Sequence, residues 1–354
     1  MNPRELIEAY GLKVDQELRD WFTSFRAPML PYFFAEYHLG WRDEHLNDCR
    51  APQGKMLRPL LVLLTYQVFQ EDFSRILPFA AACELYHNHT LVFDDIQDGD
   101  KFRRDRPTVW NLWGIGQGVN TGLVLGYLSQ IFILKLREKK FSDDKIFSLL
   151  EAFNEMTLEL AEGQSLDLDF ETREKVSPEE YLVMIGKKTG ALIGVCTFGG
   201  AFLSQDDAHL AQKFKQFGRK LGTAMQIRDD LVGIWGETKD SGKEPGQDLW
   251  RRKKTFPVLK AMSFLSGENL NFVKDYYASN TAPSKEIIQK IVKIFDDAGV
   301  REQVVENADY YLREAFDLLQ QSVNHQQKAL DSLLNFSKHA FEAIGTLRQP
   351  VPKS

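Results

Sequence analysis

Apolar residues recur at intervals of three and four along most of this chain. Leu57, Leu60, Leu61 and Leu64 form one such series, and Leu149, Leu150, Phe153, Met156 and Leu160 another, which is the spacing that lines one face of an α-helix. Runs that alternate apolar and polar residues between turn signals are nearly absent, so the pattern predicts an all-α protein. Breaks are expected at Ala51-Pro52-Gln53-Gly54, from Gly114 to Gly118, at Ser177-Pro178, from Gly236 to Gly246 and at Thr281-Ala282-Pro283-Ser284. None is a long linker. After about residue 283, Ile287, Ile288, Ile291 and Ile294 repeat on one helical face. The chain thus reads as one domain over residues 1–354, with residues from about 284 to 354 as a helical annex of it.

Composition narrows the function. With 354 residues, 43% of them hydrophobic, the chain can bury a substantial core, and disorder throughout is excluded. Its 44 basic and 50 acidic residues give a net charge of -6, which argues against a general nucleic-acid binder. The opening MNPRELIEAYGLKV carries charges where an export signal needs an apolar core. Residues 107–134 hold no charge, but Pro107, Asn111, Gln117, Asn120 and several glycines interrupt them. The apolar part proper, Leu123 to Leu134, falls short of the ~20 residues a membrane span needs. The expectation is a cytoplasmic chain without a membrane span. Cys49, Cys83 and Cys196 fit neither a zinc site nor a disulfide framework and read as free thiols.

Two segments carry candidate chemistry. In LYHNHTLVFDDIQDGDKFRRDRPTVW, residues 85–110, a helix through Asp98 would bring Asp94, Asp95 and Asp98 near one another. Three such carboxylates repel unless a cation sits among them. Mg²⁺ suits the place, because it takes hard oxygen ligands and is commonly shared between carboxylates and substrate phosphates. Lys101, Arg103, Arg104 and Arg106 follow at once, as cations suited to phosphate oxygens. The second segment, QIRDDLVGIWGE, places Asp229, Gly233 and Glu237 on one helical face with Asp230 beside them. Lys187, Lys188, Lys243, Lys253 and Lys254 supply its basic complement. Two acidic faces in an all-α chain suggest metal ions held from opposite walls of a cavity.

GKMLRP (Gly54 to Pro59), DDIQD (Asp94 to Asp98), RRDRPT (Arg103 to Thr108), KTGAL (Lys188 to Leu192), QIRDD (Gln226 to Asp230) and the later GK, DL and KKT elements occur in that order. The series resembles the motif set of the trans-isoprenyl diphosphate synthases, from about residue 54 to 260. The resemblance implies a bundle of long antiparallel helices around a central cavity, usually as a homodimer. It implies an enzyme that condenses an allylic diphosphate with isopentenyl diphosphate to a short or medium trans-polyprenyl diphosphate, geranylgeranyl or farnesyl diphosphate here. By the same resemblance Lys55, Arg58, His87 and Arg104 hold the diphosphate of isopentenyl diphosphate. Asp94, Asp95, Asp98, Asp229 and Asp230, with Glu237, bind Mg²⁺, three ions in all. Arg103, Lys188, Lys243 and Lys253 add positive charge there, and Thr189 and Gln226 line the site.

Departures from the family pattern are also legible. Phe93 stands where His is common, and His89 where a bulkier aromatic is frequent. Gly122-Leu123 replaces a Gly-Asp, Asp105 follows the arginine pair in place of Gly, and Gly233 takes the position of a third Asp. The spacing Asp229, Gly233, Glu237 is similar to the second metal motif of class I terpene cyclases, which makes cyclisation the alternative reaction. An inactive partner subunit is the non-enzymatic one. For product length, small Thr90 leaves the path of the prenyl tail open, whereas Tyr127 and Phe132 are candidate plugs, an arrangement suited to twenty or fifteen carbons.

Overall fold

The computed structural model describes residues 2–25, 29–51, 54–236, 246–279, 282–323 and 326–347. In chain order its helices are α1 (Pro3–Phe25), α2 (Leu30–His38), α3 (Leu57–Gln67) and α4 (Leu77–Gln97). A hairpin of β1 (Phe102–Arg103) and β2 (Arg106–Pro107) precedes α5 (Val109–Trp113), α6 (Ile115–Leu134), α7 (Asp143–Thr172) and α8 (Pro178–Ile185). A π-helical turn, Gly186–Gly190, leads into α9 (Ala191–Ser204) and α10 (Ala208–Trp235). The remaining helices are α11 (Gln247–Trp250), α12 (Phe256–Phe264), α13 (Gly267–Ala278), α14 (Lys285–Asp297), α15 (Val300–Gln320) and α16 (Gln327–Glu342). The all-α expectation holds, with the four residues of one short hairpin as the described strands.

The chain forms two compact units. One comprises residues 1–154, 196–212 and 325–333, and the other 155–195, 213–324 and 334–354. In the first, α4 lies at the centre, with Phe79 through Cys83 and Leu85 fully buried. Leu60 and Leu61 of α3 are equally buried, as the leucine series implied. Helix α6 packs on α4 through a row of glycines: a Cβ on Gly118 would meet the Ile96 side chain at 2.8 Å, one on Gly122 the Phe93 ring at 2.7 Å, and one on Gly126 His89 at 2.8 Å. Only hydrogen side chains at these three positions let the two helices approach so closely. Of the expected break at Gly114 to Gly118, just Gly114 interrupts the helix, at φ +84°; Gly118 serves this packing, and Gly116 faces open space.

In the second unit, Gly190 and Gly222 make a similar close crossing, since a Cβ on Gly222 would stand 2.8 Å from Gly190 Cα. Ser177 opens α8 with a capping box, accepting from Glu180 N while Glu180 accepts from Ser177 N. On α14, Ile288, Ile291 and Ile294 are buried as the amphipathic pattern predicted. All three cysteines are free thiols, and Cys83 and Cys196 are buried.

Helical continuity corrects the length assigned to the apolar stretch. Among the described residues, Ile115–Arg137 and Pro178–Ser204 are each long and apolar enough to cross a membrane by length and composition alone. Half of the first apolar window and two thirds of the second are buried inside the protein, as in the core helices of a folded domain.

The glycine row makes a direct prediction. Gly122→Ala improves helix propensity by ~1 kcal/mol, but the new methyl must displace the Phe93 ring, at a cost of about 1–3 kcal/mol. Chemical denaturation is expected to show net destabilisation, relieved when Phe93→Leu is added. A more stable single variant would refute the packing argument.

Candidate active site

The first acidic motif ends α4. Asp94 and Asp98, four residues apart, share one partly exposed face, with Asp98 N donating to Asp94 O at 2.8 Å. Asp95 does not join them: a helix turns about 100° per residue, and its side chain is buried against Arg103, whose Nε donates to Oδ1 at 2.7 Å. Burial pushes the Asp95 carboxyl up to about 6, against the pull of Arg103. The expected patch of three carboxylates is therefore a pair plus one inward-facing anchor for the arginine motif.

That motif is the hairpin. Arg103 pairs with Arg106, and Arg104 and Asp105 form the connecting turn at φ +52° and +60°. Two successive left-handed residues define the turn that matches strand twist, and Asp tolerates that region better than most side chains. This explains how Asp105 can stand where relatives carry Gly. Arg104 reaches back to the GK loop, where a Cβ on Gly54 would meet its Nη2 at 2.8 Å. Arg106 is structural: it donates to Tyr37 O at 3.0 Å and to Arg42 O, and stacks over the Tyr37 ring.

Beside the hairpin lies a polar pocket. Arg58 Nε and His87 Nδ1 are buried with no hydrogen-bond partner among the described residues. Burial, reinforced by Arg58, Arg104 and Arg103, holds His87 well below the usual imidazole range. Glu84 is buried near Arg58 and Arg104, and burial raises its carboxyl. Lys55 is exposed.

The second motif lies on α10, in the other unit. Asp229 is partly exposed, whereas Asp230 is buried. Tyr181 OH (2.8 Å) and Phe256 N (3.2 Å) donate to Asp230 Oδ2, and Gln226 Nε2 donates to Oδ1 at 3.2 Å. Thr189 in turn donates to Gln226 Oε1 at 2.9 Å. Burial and the neighbouring Asp248 push the Asp230 carboxyl well above its ordinary range, while Tyr181 opposes them. Thr189, Gln226 and Asp230 thus form one hydrogen-bond network. Lys188, on the π-helical turn, donates to Asp167 Oδ2 at 2.6 Å. Such turns place side chains out of helical register, often at functional sites.

Gly233 has a local cause. A Cβ there would stand 1.9 Å from Asp248 Oδ2, so the Asp248 carboxylate occupies the space a side chain at 233 would need. Asp248, Asp167 and Tyr181 were missed as site residues in the sequence. Asp248 belongs to the DL element and Asp167 to GQSLDLD, whose repeated carboxylates were a usable signal. Lys253 donates its backbone N–H to Asp248 O at 2.9 Å. Lys254 caps α7, its Nζ donating to Phe170 O, Glu171 O and Arg173 O. Glu237 and Lys243 lie outside the described residues. Tyr127 cannot be a plug, because it is 65% exposed on the face of α6 away from α4; Phe132 is fully buried.

Residues 40–295 match the polyprenyl synthetase family. The chain is 35% identical over 273 residues to a geranylgeranyl diphosphate synthase of Mycobacterium tuberculosis, covering 77% of this chain and 76% of that one. It is 33% identical over 288 residues to a (2E,6E)-farnesyl diphosphate synthase of Mycobacterium bovis, covering 80% and 79%. The crystal structure of a polyprenyl synthetase from Streptomyces coelicolor A3(2) superposes with a TM-score of 0.88 at 30% identity, over 96% of this chain and 99% of that one. The chain belongs to the polyprenyl synthetase family, with the all-α isoprenoid synthase fold, and is a short-chain trans-prenyltransferase. Members of the family use Mg²⁺ to bind diphosphate.

The Gly233 contact is testable. Gly233→Asp, which restores the acid common at that position in relatives, is expected to displace Asp248 and lower turnover at least tenfold, measured as prenyl transfer at saturating Mg²⁺. Unchanged activity would show that the Asp248 position is not required.

Proposed function

We propose that the enzyme ionises an allylic diphosphate and adds isopentenyl diphosphate to the resulting cation, through groups that divide into metal ligands, cationic binders and internal anchors. Asp94 and Asp98 suit Mg²⁺: their hard oxygens share one partly exposed helical face. Mg²⁺ commonly keeps waters and shares its protein ligands with substrate phosphates, so it can be held by few carboxylates. Asp229 is the corresponding ligand of the second motif, and three ions per site, with Glu237 as a further ligand, remain our reading. When bound, Mg²⁺ neutralises the charge that develops on the leaving diphosphate.

Asp95 and Asp230 act differently from the sequence assignment, as anchors that hold Arg103 and the Tyr181–Gln226–Thr189 network in place. Arg103, Lys188, Lys243 and Lys253 attract the allylic diphosphate. Lys55, Arg58, His87 and Arg104 bind the diphosphate of isopentenyl diphosphate by charge-assisted hydrogen bonds. The observation that carries this reading is the pairing, within one unit, of a carboxylate face at Asp94 and Asp98 with buried, partnerless atoms on Arg58 and His87. The chemistry requires that water be kept from the cation, and the proton lost after condensation goes to the departing diphosphate.

We further propose that the enzyme works in the cytoplasm as a homodimer. Ile115, Val119, Leu123, Tyr127, Ile131 and Leu134 form an exposed stripe on α6, in a helix without a charged residue. At about 150–250 Å² for a fully exposed large side chain, the stripe leaves roughly 500 Å² uncovered, most of the ~800 Å² that one side of a stable interface buries. The absence of charge lets the stripe pair with its own copy across a two-fold axis without burying an unpaired ion.

Radiolabelled isopentenyl diphosphate is expected to enter a linear diphosphate of twenty or fifteen carbons when an allylic primer and Mg²⁺ are supplied, and not in the presence of a chelator. A cyclic hydrocarbon without label would favour the cyclase, and equal product with chelator would remove the role assigned to the carboxylates. For assembly, the double variant Leu123→Glu, Tyr127→Glu is expected to sediment at half the mass of the wild type with its helical circular dichroism retained. A dimer in both would place the interface elsewhere.

A further inference from the structure

His38, the last residue of α2, lies well upstream of the GKMLRP motif and outside every motif that marks the site. Its Nε2 is buried without a hydrogen-bond partner among the described residues. A buried polar atom left this way costs about 1–3 kcal/mol, so native proteins rarely keep one without a use. Here three such nitrogen atoms lie in one neighbourhood: His38 Nε2, Arg58 Nε and His87 Nδ1. His38 and His87 feel each other and share Arg103 and Arg104 as neighbours. His38 also lines a small, solvent-open cleft with Asp95, Arg103, Arg104 and Arg106.

The chemistry of these groups selects the ligand. Arg103 is engaged by Asp95, and Arg106 is committed to backbone carbonyls, which leaves Arg58 and Arg104 as the cations facing the unpaired imidazoles. A ligand that satisfies several donors at once must carry several acceptor oxygens and negative charge, as a diphosphate does. The Asn88 side chain is a hydrogen-bond neighbour of the His38 ring. Its Nδ2 donates to both Glu84 O (2.9 Å) and Glu84 Oε1 (3.0 Å), which fixes the amide orientation. Glu84, buried and bonded to Asn88, is thus the base of a line of groups leading to His38.

We propose that His38 is a fifth member of the pocket for isopentenyl diphosphate, held beside Asn88 and Glu84 and donating its Nε2–H to a diphosphate oxygen. This rests on the function proposed above. A phosphate oxygen only accepts, so the ligand selects the tautomer with the proton on Nε2. The contact binds the homoallylic substrate in the ground state and the transition state alike, so its loss raises KM far more than it lowers kcat.

Three variants test it. His38→Gln places an amide nitrogen near the position of Nε2, His38→Asn near that of Nδ1, and His38→Leu removes hydrogen bonding at similar bulk. In steady-state assays with isopentenyl diphosphate varied and then the allylic primer varied, His38→Leu and His38→Asn are expected to raise KM for isopentenyl diphosphate about tenfold. His38→Gln should remain within about threefold of wild type, and KM for the primer should not move. Titration calorimetry with inorganic diphosphate in Mg²⁺-free buffer should show the same order of affinities. An unchanged KM in His38→Leu would overturn the proposal, and so would equal losses in all three variants with parallel falls in Tm, which mark a structural role. If the wild type itself incorporates no isopentenyl diphosphate, the functional reading fails instead; the calorimetric order of the variants then decides whether His38 binds a diphosphate at all.

Discussion

Successive residues on an α-helix point about 100° apart, so two adjacent aspartates cannot serve one ligand equally. Both aspartate pairs of this enzyme obey that constraint. Asp94 and Asp229 stay partly exposed, while Asp95 and Asp230 turn inward and are buried. A buried carboxylate is costly unless it is hydrogen-bonded, and the protein meets the cost with groups that belong to the same chemistry. Arg103 satisfies Asp95, and Tyr181, Gln226 and the Phe256 N–H satisfy Asp230. The inward aspartates thereby fix the hairpin and the start of α12. One Asp in each pair is thus taken up by internal hydrogen bonds, and the other stays at the surface.

The basic pocket follows the opposite logic. Arg58, His87 and His38 keep buried nitrogen atoms without hydrogen-bond partners among the described residues, a cost to the free protein that an anion bound as proposed above would offset by supplying acceptors. Preorganisation of this kind lowers the reorganisation needed at the moment of reaction. Arg104 shares in it through backbone geometry: its left-handed φ of +52° is a conformation most side chains avoid, and the hairpin that imposes it is fastened by Arg106 to Tyr37 and Arg42.

Where this chain departs from its family's pattern, a spatial neighbour supplies the reason. Phe93 fits because Gly122 leaves room for its ring, and His89 fits against Gly126, its Nδ1 donating to Gly122 O at 2.7 Å. Leu123 faces solvent on the outer stripe of α6, so the carboxylate it replaces is no loss to the core. Asp248 fills the space beside Gly233. None of these neighbours is adjacent in sequence, which is why the departures looked like defects when read along the chain.

The sequence by itself determined the helical class, the order of motifs and the chemistry of the site, because each rests on local quantities: apolar periodicity, residue type and spacing within a few turns. Leu60, Leu61, Ile288 and Ile291 were legible as core, and Asp94 and Asp98 as candidate metal ligands, on those grounds alone, whereas Arg58 and His87 were legible only through the family resemblance. Tertiary structure decided which member of each aspartate pair faces outward, since that depends on which side of a helix its neighbours cover. It also decided that Arg106 and Lys254 tie down backbone carbonyls, that Tyr127 points to solvent, and that Asp248 lies against Gly233. Each of these depends on contacts between residues distant along the chain, and no spacing within a single segment encodes them.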